Sequence, residues 1–282
     1  MDLCFVLGND CAVAIAEHIG GSVDEFADIM NEKAKDLGLV NTHFVTPHGL
    51  DDDDHYTTAY DLAILTNYAL EIEKFKEIVG TKTTTIMVGN YSRTISNTNE
   101  LLGNVEGVYG VKTGFTGNAG RCLVTACKRG NLDVIIVVLG ADTKKIRGLD
   151  TRNVINYIFN NFEMVDTYEK IEYAFENFNK TQKISVTKSL DEVQIGFLDN
   201  YTYVYPINKT EVSSLKTSIY TVTQIDTETP VGSKLGIVTL KANDKILYSV
   251  DIVLENELNR TTWQDYFKIF LSNYKNYFKL NV

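Results

Sequence analysis

Only three prolines interrupt the 282 residues, and no stretch approaches the roughly 18 consecutive apolar residues of a spanning helix. Nor does the N-terminus carry the charged and apolar regions of a signal peptide; Met1-Asp-Leu-Cys-Phe-Val-Leu7 opens straight into apolar periodicity. A CxxC pair is missing as well. The four cysteines stand at 4, 11, 122 and 127 among apolar neighbours, which argues for small buried side chains over a zinc ribbon or redox motif. Basic charge is in deficit: 27 Lys+Arg against 37 Asp+Glu give a net −10, so the footprint of a general nucleic-acid binder is absent. What is present is globular composition, 44% hydrophobic and 23% charged, which excludes a disordered chain. The length suits one large domain or two ordinary ones.

Periodicity orders the chain. Ala12–His18 predicts a buried helix with Asn9 or Asp10 as N-cap, stopped by Gly20-Gly21. Val23–Leu37 predicts a second, with Phe26, Ile29, Met30, Ala34 and Leu37 on one face and Gly38 closing it. Thr58-Ala-Tyr-Asp61 resembles a capping box opening a helix to about Phe75. Thr83–Val88 and Tyr91–Ile95 predict a hairpin around Gly89-Asn90. Strands at 121–128 and 133–140 follow Gly110-Val-Lys-Thr-Gly114, with a Gly turn between them. Residues 146–160 then predict a helix with Ile146, Leu149, Val154, Ile155 and Ile158 inward. Helices, antiparallel strands and a closing helix make an α+β order. Beyond about Tyr168, short alternating segments predict a small all-β domain, with the boundary near 163–168. The tail changes period again: Trp263, Tyr266, Phe267, Phe270, Tyr274, Tyr277 and Phe278 share one helical face, flanked by Arg260, Lys268, Lys275 and Lys279. That pattern suits an in-plane interfacial helix, or a helix that caps its own domain or a partner.

Chemistry concentrates at Lys112-Thr113-Gly114. A lysine on a strand edge, a small hydroxyl beside it and a glycine permitting close approach suit a carboxylate or acyl donor laid along the strand. A solvated lysine at an ordinary strand entry is the plainer alternative. His43, His48 and His55 lie near Asp51–Asp54, but spacings of five and seven match no compact zinc signature, so neither metal nor cofactor is expected. His18, in an Ala-rich helix, reads as structural.

Several blocks together resemble the low-molecular-weight penicillin-binding proteins, the serine-type D-alanyl-D-alanine carboxypeptidases. They are Gly8-Asn-Asp-Cys-Ala-Val-Ala-Ile-Ala-Glu17, Asn41-Thr-His-Phe-Val-Thr-Pro-His-Gly-Leu-Asp51, Asn97-Thr-Asn-Glu-Leu-Leu102, Gly107–Val124 around Lys-Thr-Gly, and Val138-Leu-Gly-Ala141 followed by Arg147. They occur in family order. The resemblance implies a transpeptidase-like α+β domain over 1–163, N-terminally incomplete. A β-rich domain over 164–258 and an amphipathic helix over 259–282, a membrane anchor in the family's manner, complete the implied architecture. It further implies an extracytoplasmic, membrane-associated enzyme. A serine would attack the D-Ala-D-Ala end of peptidoglycan stem peptides, and β-lactams would acylate an intact form. Lys112, Thr113 and Gly114 would bind the substrate carboxylate, Asn9 the peptide, and the Phe115 backbone N–H the oxyanion. Arg147 would support Lys112 or the carboxylate. A membrane surface would be met through residues 260–282.

Two departures stand out. The nucleophile's SxxK motif should precede Gly8, where the sequence leaves no room for it, and Leu7 occupies the serine position of SxN. The pairs Ser185 and Lys188, Ser213 and Lys216, and Ser272 and Lys275 match SxxK but follow Lys-Thr-Gly in the wrong order. A chain truly starting at Met1 is expected to expose a sheet edge and aggregate; a truncated gene product is the simpler reading. The rival expectation is a non-catalytic peptidoglycan-binding or regulatory protein. A β-lactamase is disfavoured by the β-rich domain and tail.

Overall fold

The computed structural model describes residues 8–181, 183–198 and 203–279. Leu7 and its predecessors, Cys4 among them, lie outside the described residues. Two compact units divide at Asn161/Phe162.

The first unit opens with α1 (Asn9–Gly20) and α2 (Val23–Asp36). The expected N-cap moves back: Gly8 holds that position without a side-chain bond, and Asn9 is already helical. Ser22 caps α2 by accepting from the Glu25 N–H, a bond worth about 1 kcal/mol at such a position. Gly38 follows at φ +72°, the left-handed stop expected of it. The inward side of α2 carries Ala27 and Ala34, whereas Ile29 is exposed. A single helix to Phe75 is not found. The chain breaks at Glu71-Ile72 into α3 (Ala59–Leu70) and α4 (Glu73–Gly80), with Thr58 capping α3 as anticipated.

Next stands a two-stranded hairpin, β1 (Thr83–Val88) with β2 (Tyr91–Ser96), turning at Gly89 with φ +61°. The central sheet has three antiparallel strands in sequence order: β3 (Val108–Thr116), β4 (Gly120–Arg129) and β5 (Leu132–Ala141). Its back is covered by α5 (Lys144–Asn161), and Leu101, Leu123, Cys127, Ile136 and Ile155 form the core between them. The inward face of α5 differs from expectation. Arg147, Gly148, Thr151 and Ile155 are buried, while Ile146, Leu149 and Val154 are exposed. Hydrophobicity misplaces the stripe because the buried Arg147 side chain, ion-paired to Glu100, and not an aliphatic contact, seats the first turns of the helix.

In the second unit, β10 (Lys216–Thr221), β12 (Lys234–Ala242), β13 (Lys245–Leu254) and β8 (Ile195–Phe197) form a four-stranded antiparallel sheet in that order. Asn243 and Asp244, both at positive φ, join β12 to β13 in the tight turn that residues tolerant of that region allow. Two smaller sheets pair β6 (Phe162–Asp166) with β9 (Val204–Asn208) and, in parallel, β7 (Ser185–Thr187) with β11 (Gln224–Asp226). The all-β expectation requires correction, because α6 (Tyr168–Thr181) lies within this unit. Its stripe of Ile171, Phe175 and Phe178 sits in an otherwise polar segment, and Ile171 packs into the core of Val238, Val250 and Ile252. The final helix, α7 (Trp263–Lys279), leaves Trp263, Phe267, Phe270 and Tyr274 exposed.

The two faces of α5 should differ sharply in denaturant melts. Ile155→Ala, at a fully buried site, is expected to lose about 2–5 kcal/mol, and Leu149→Ala less than about 1 kcal/mol. Equal losses would contradict the burial pattern.

Candidate active site

The Lys-Thr-Gly triplet lies in the middle of β3, an edge strand among the described residues. Every second backbone N–H and C=O of such a strand points away from its only neighbour. Register assigns the side chains. Lys112 opposes Val124 and Gly114 opposes Cys122, so these four share one face; Thr113, Phe115, Leu123 and Arg121 share the other. Lys112 is half-buried, and its Nζ donates to the Thr113 carbonyl at 2.5 Å. Thr113 is buried, with its hydroxyl 2.7 Å from that of Thr98. Among the described residues, a Cβ at Gly114 would meet only the Cβ of Cys122, at 3.6 Å, an ordinary contact. The fold itself therefore does not demand glycine there. Phe115 is exposed, and the Arg121 guanidinium lies 3.5 Å from its ring centroid.

The start of β3 is held by the Asn97–Glu100 loop. The Asn97 amide donates to the carbonyls of Val79 and Thr81, and its oxygen accepts from the Asn99 N–H. The buried Asn99 amide donates to the Gly110 carbonyl at 3.0 Å, and its oxygen accepts from the Leu101 N–H. Side-chain amides thus supply partners that a neighbouring strand would otherwise provide. Beyond Gly110 this loop gives way to the Lys-Thr-Gly stretch.

Arg147, only 3% exposed, secures the loop from behind. It donates to Glu100 through Nε and, at 2.5 Å, through Nη2, and to the Cys122 carbonyl through Nη1 at 3.3 Å. Cys122 is the residue opposite Gly114. Arg147 therefore braces the partner strand from inside, where the sequence reading had expected it at Lys112 or the carboxylate. Asn9 begins α1 with an exposed side chain, and no hydrogen bond joins it to β3 among the described residues. The structure brings Lys112, Thr113, Gly114 and Phe115 together and sets Arg147 behind them; it does not tie Asn9 to that group.

Thr98, Asn99 and Glu100 escaped assignment from sequence. Their signal was two asparagines spaced by one residue ahead of a glycine-rich strand, a pattern suited to capping an edge.

The histidine loop has its own purpose. Asp61, 2% exposed, accepts from the Asn41 N–H and the Thr42 hydroxyl, and Asn31 pairs with both backbone groups of Phe44. His55 Nδ1 accepts from the N–H groups of Val45 and Thr46. Asp51 accepts, at 3.4 Å, from Asn118 in the β3–β4 turn. No cluster of three metal-ligating side chains occurs among the described residues. Burial pushes the His55 pKa below its ordinary value, with the Asp52 charge opposing.

An α+β unit whose antiparallel sheet carries Lys-Thr-Gly on its edge, backed by a helix, defines a transpeptidase-like domain of the penicillin-binding kind. Residues 3–143 match the profile of the family described as D-alanyl-D-alanine carboxypeptidase. The chain is 31% identical over 262 residues to the D-alanyl-D-alanine carboxypeptidase DacF of Bacillus subtilis, covering 93% of this chain and 66% of that one. Penicillin-binding protein 5 of Haemophilus influenzae superposes with a TM-score of 0.73 at 28% identity, covering 91% of this chain and 72% of that one. Penicillin-binding protein D2 of Listeria monocytogenes, in its cefotaxime-bound form, superposes with a TM-score of 0.50 at 32% identity over 55% of this chain and 62% of that one. The chain belongs to the D-alanyl-D-alanine carboxypeptidase family. It spans about two thirds or less of the length of the curated relatives it matches.

Two measurements probe this architecture. Glu100→Ala strands the Arg147 charge and is expected to lower stability by about 3 kcal/mol, at the low end of buried-pair losses because Glu100 is 36% exposed. His55 binds its proton less readily when folded than when unfolded, so its contribution to stability is complete above the unfolded pKa of 6.5 and declines as pH falls below it. The melting temperature should therefore drop between pH 7.5 and 5.5, and His55→Asn should flatten that interval; an unchanged slope would remove His55 as its cause.

Proposed function

We propose that this chain carries the substrate-binding wall of a serine-type D-alanyl-D-alanine carboxypeptidase, an extracytoplasmic hydrolase of peptidoglycan maturation. The observation that carries the reading is Gly114: a glycine the fold does not require, beside Lys112, on a strand edge with backbone groups to spare. An extended peptide ending in D-Ala-D-Ala would lie along β3 as an added strand. Lys112 would supply the positive charge for its terminal carboxylate. The absent side chain at Gly114 would let the peptide approach, and the Phe115 N–H would serve the oxyanion of the acyl transfer. Thr113, through its bond to Thr98, would hold the strand in register. Asn9 would contact the peptide, as the family motif implies. Arg147 would act through Cys122 and Glu100 to keep the edge rigid. The attacking serine and its lysine belong to the family's SxxK segment, and the chain's own residues bind and orient. β-Lactams, bound by the Listeria relative, would be acylating ligands of the intact form.

The exposed aromatic residues of α7 support attachment to a membrane surface through residues 260–282. No helix among the described residues is long and apolar enough to cross a membrane. A helix lying in the interface buries such rings while its lysines meet anionic headgroups.

Labelling of the native gene product with a fluorescent penicillin, followed by peptide mapping, tests the enzyme reading. A labelled species containing these peptides is expected; an unlabelled product transfers the reading to a non-catalytic binder. In the labelled species, Lys112→Ala should reduce acylation by roughly 10- to 100-fold, the range of a lost charge-assisted bond. Gly114→Ala should do so by at least about 10-fold while leaving stability within about 1 kcal/mol, since no clash opposes its Cβ. Unimpaired acylation in both variants would sink the assignment.

A further inference from the structure

A cavity of about 340 Å³ opens in the second unit where β10 begins, with Ser214, Lys216, Ser218, Lys241, Asn243 and Asp244 in its lining. Register places Lys216 directly opposite Lys241 and Ser218 directly opposite Thr239. Residues opposite one another, or two apart on one strand, share a face, so both lysine side chains and the Ser218 hydroxyl stand on the same side of the sheet. Like charges directly opposed across an antiparallel pair repel. Among the described residues neither lysine has an ion-pair partner, and Asp244, the one carboxylate in the lining, is paired to neither. Lys234, also on β12, differs: its Nζ lies 2.6 Å from an Asp251 carboxylate oxygen.

The Ser218 hydroxyl is a second unmet demand. Its Oγ is buried and has no hydrogen-bond partner among the described residues, a condition that native structures seldom leave unanswered. The strand itself adds donors. β10 is the outer strand of its sheet among the described residues, so alternate backbone N–H groups along it point away from β12. The β12–β13 turn is tied to the segment entering β10, because the Asn243 N–H donates to the Ser214 Oγ at 3.2 Å.

We infer that this cavity binds one phosphate group. Two ammonium groups match a charge close to −2, and lysines meet phosphate as point charges, without the planar fork that suits a carboxylate. Phosphate oxygens diverge, so a hydroxyl and a strand-edge N–H can be served together with both lysines. The volume is roughly ten times a water's share of about 30 Å³, enough for a phosphate and a short ester group. The inference concerns the second unit alone and does not depend on the carboxypeptidase reading.

The test compares the full chain with its Lys216→Met, Lys241→Met and Ser218→Ala variants. Each is titrated calorimetrically with inorganic phosphate at constant ionic strength, with chloride as the control ion. The wild type should bind phosphate with a Kd in the millimolar range or tighter. Each lysine variant should bind about 10-fold more weakly and Ser218→Ala about 3-fold more weakly, from the loss of a charge-assisted and a neutral hydrogen bond. Without phosphate the lysine variants should melt no lower than the wild type, since the opposed charges are gone; phosphate should raise the wild-type melting temperature more than theirs. Three results would overturn the inference: phosphate bound no better than chloride, unchanged affinity in both lysine variants, or lysine variants that melt lower than the wild type without phosphate, the mark of a pair that holds the strand and not a ligand. Vesicles separate the sources of the group. A preference for phosphatidylglycerol over phosphatidylcholine vesicles that disappears in the lysine variants assigns the phosphate to a lipid headgroup. Loss of phosphate binding with vesicle binding unchanged assigns it to a soluble ion or ester.

Discussion

A guanidinium taken out of water must be paired, and that requirement at Arg147 organises the first unit. Its partner, Glu100, ends the loop that seals the start of β3, and its third donor holds the carbonyl of Cys122 on the strand opposite. One side chain therefore fastens helix α5, the loop and β4 at a single point. Gly148, next to it, has a reason of its own. A Cβ there would stand 3.1 Å from a Glu100 carboxylate oxygen and would press on the group that pairs with Arg147.

From that fastening the edge of β3 follows. Asn99 takes the place of a neighbouring strand at Gly110, while Asn97 ties the loop to the carbonyls of Val79 and Thr81 at the end of α4. The hydroxyl pair of Thr98 and Thr113 continues the contact three residues further along β3. A peptide adding to the remaining edge, as proposed, would meet a surface already held in register, which would lower the ordering entropy of binding. The same loop carries the hairpin at its other end.

The sequence was informative wherever local chemistry decides local structure. Thr58 and Ser22 cap helices because a hydroxyl next to free N–H groups needs no tertiary help, and Gly38 and Gly89 turn the chain because of their φ. The β1–β2 hairpin and the two strands that follow Lys112-Thr113-Gly114 were legible for the same reason. Three readings failed where packing overrides pattern. The polar stretch Tyr168–Thr181 hid a helix whose Ile171 and Phe175 pack with Val238, Val250 and Ile252, more than 60 residues later. Of the expected stripe of α5, Ile155 and Ile158 face the core, but Ile146, Leu149 and Val154 are exposed because Arg147, Gly148 and Thr151 take the inward positions. The Glu71-Ile72 break between α3 and α4 carries no proline or glycine to announce it.

The amino-acid sequence by itself determined the α+β order, the family resemblance and the identity of the Lys112-Thr113-Gly114 edge, because motif residues and turn residues act over a few neighbours. Tertiary structure alone decided what surrounds that edge. Arg147 and Glu100 are 47 residues apart, and Thr98 and Thr113 are 15 apart. Burial of the guanidinium pairs it with Glu100 and the Cys122 carbonyl. That the fold does not need a glycine at 114 also became visible only once Cys122 stood opposite it, because a missing side chain has meaning only against the atoms that would have touched it.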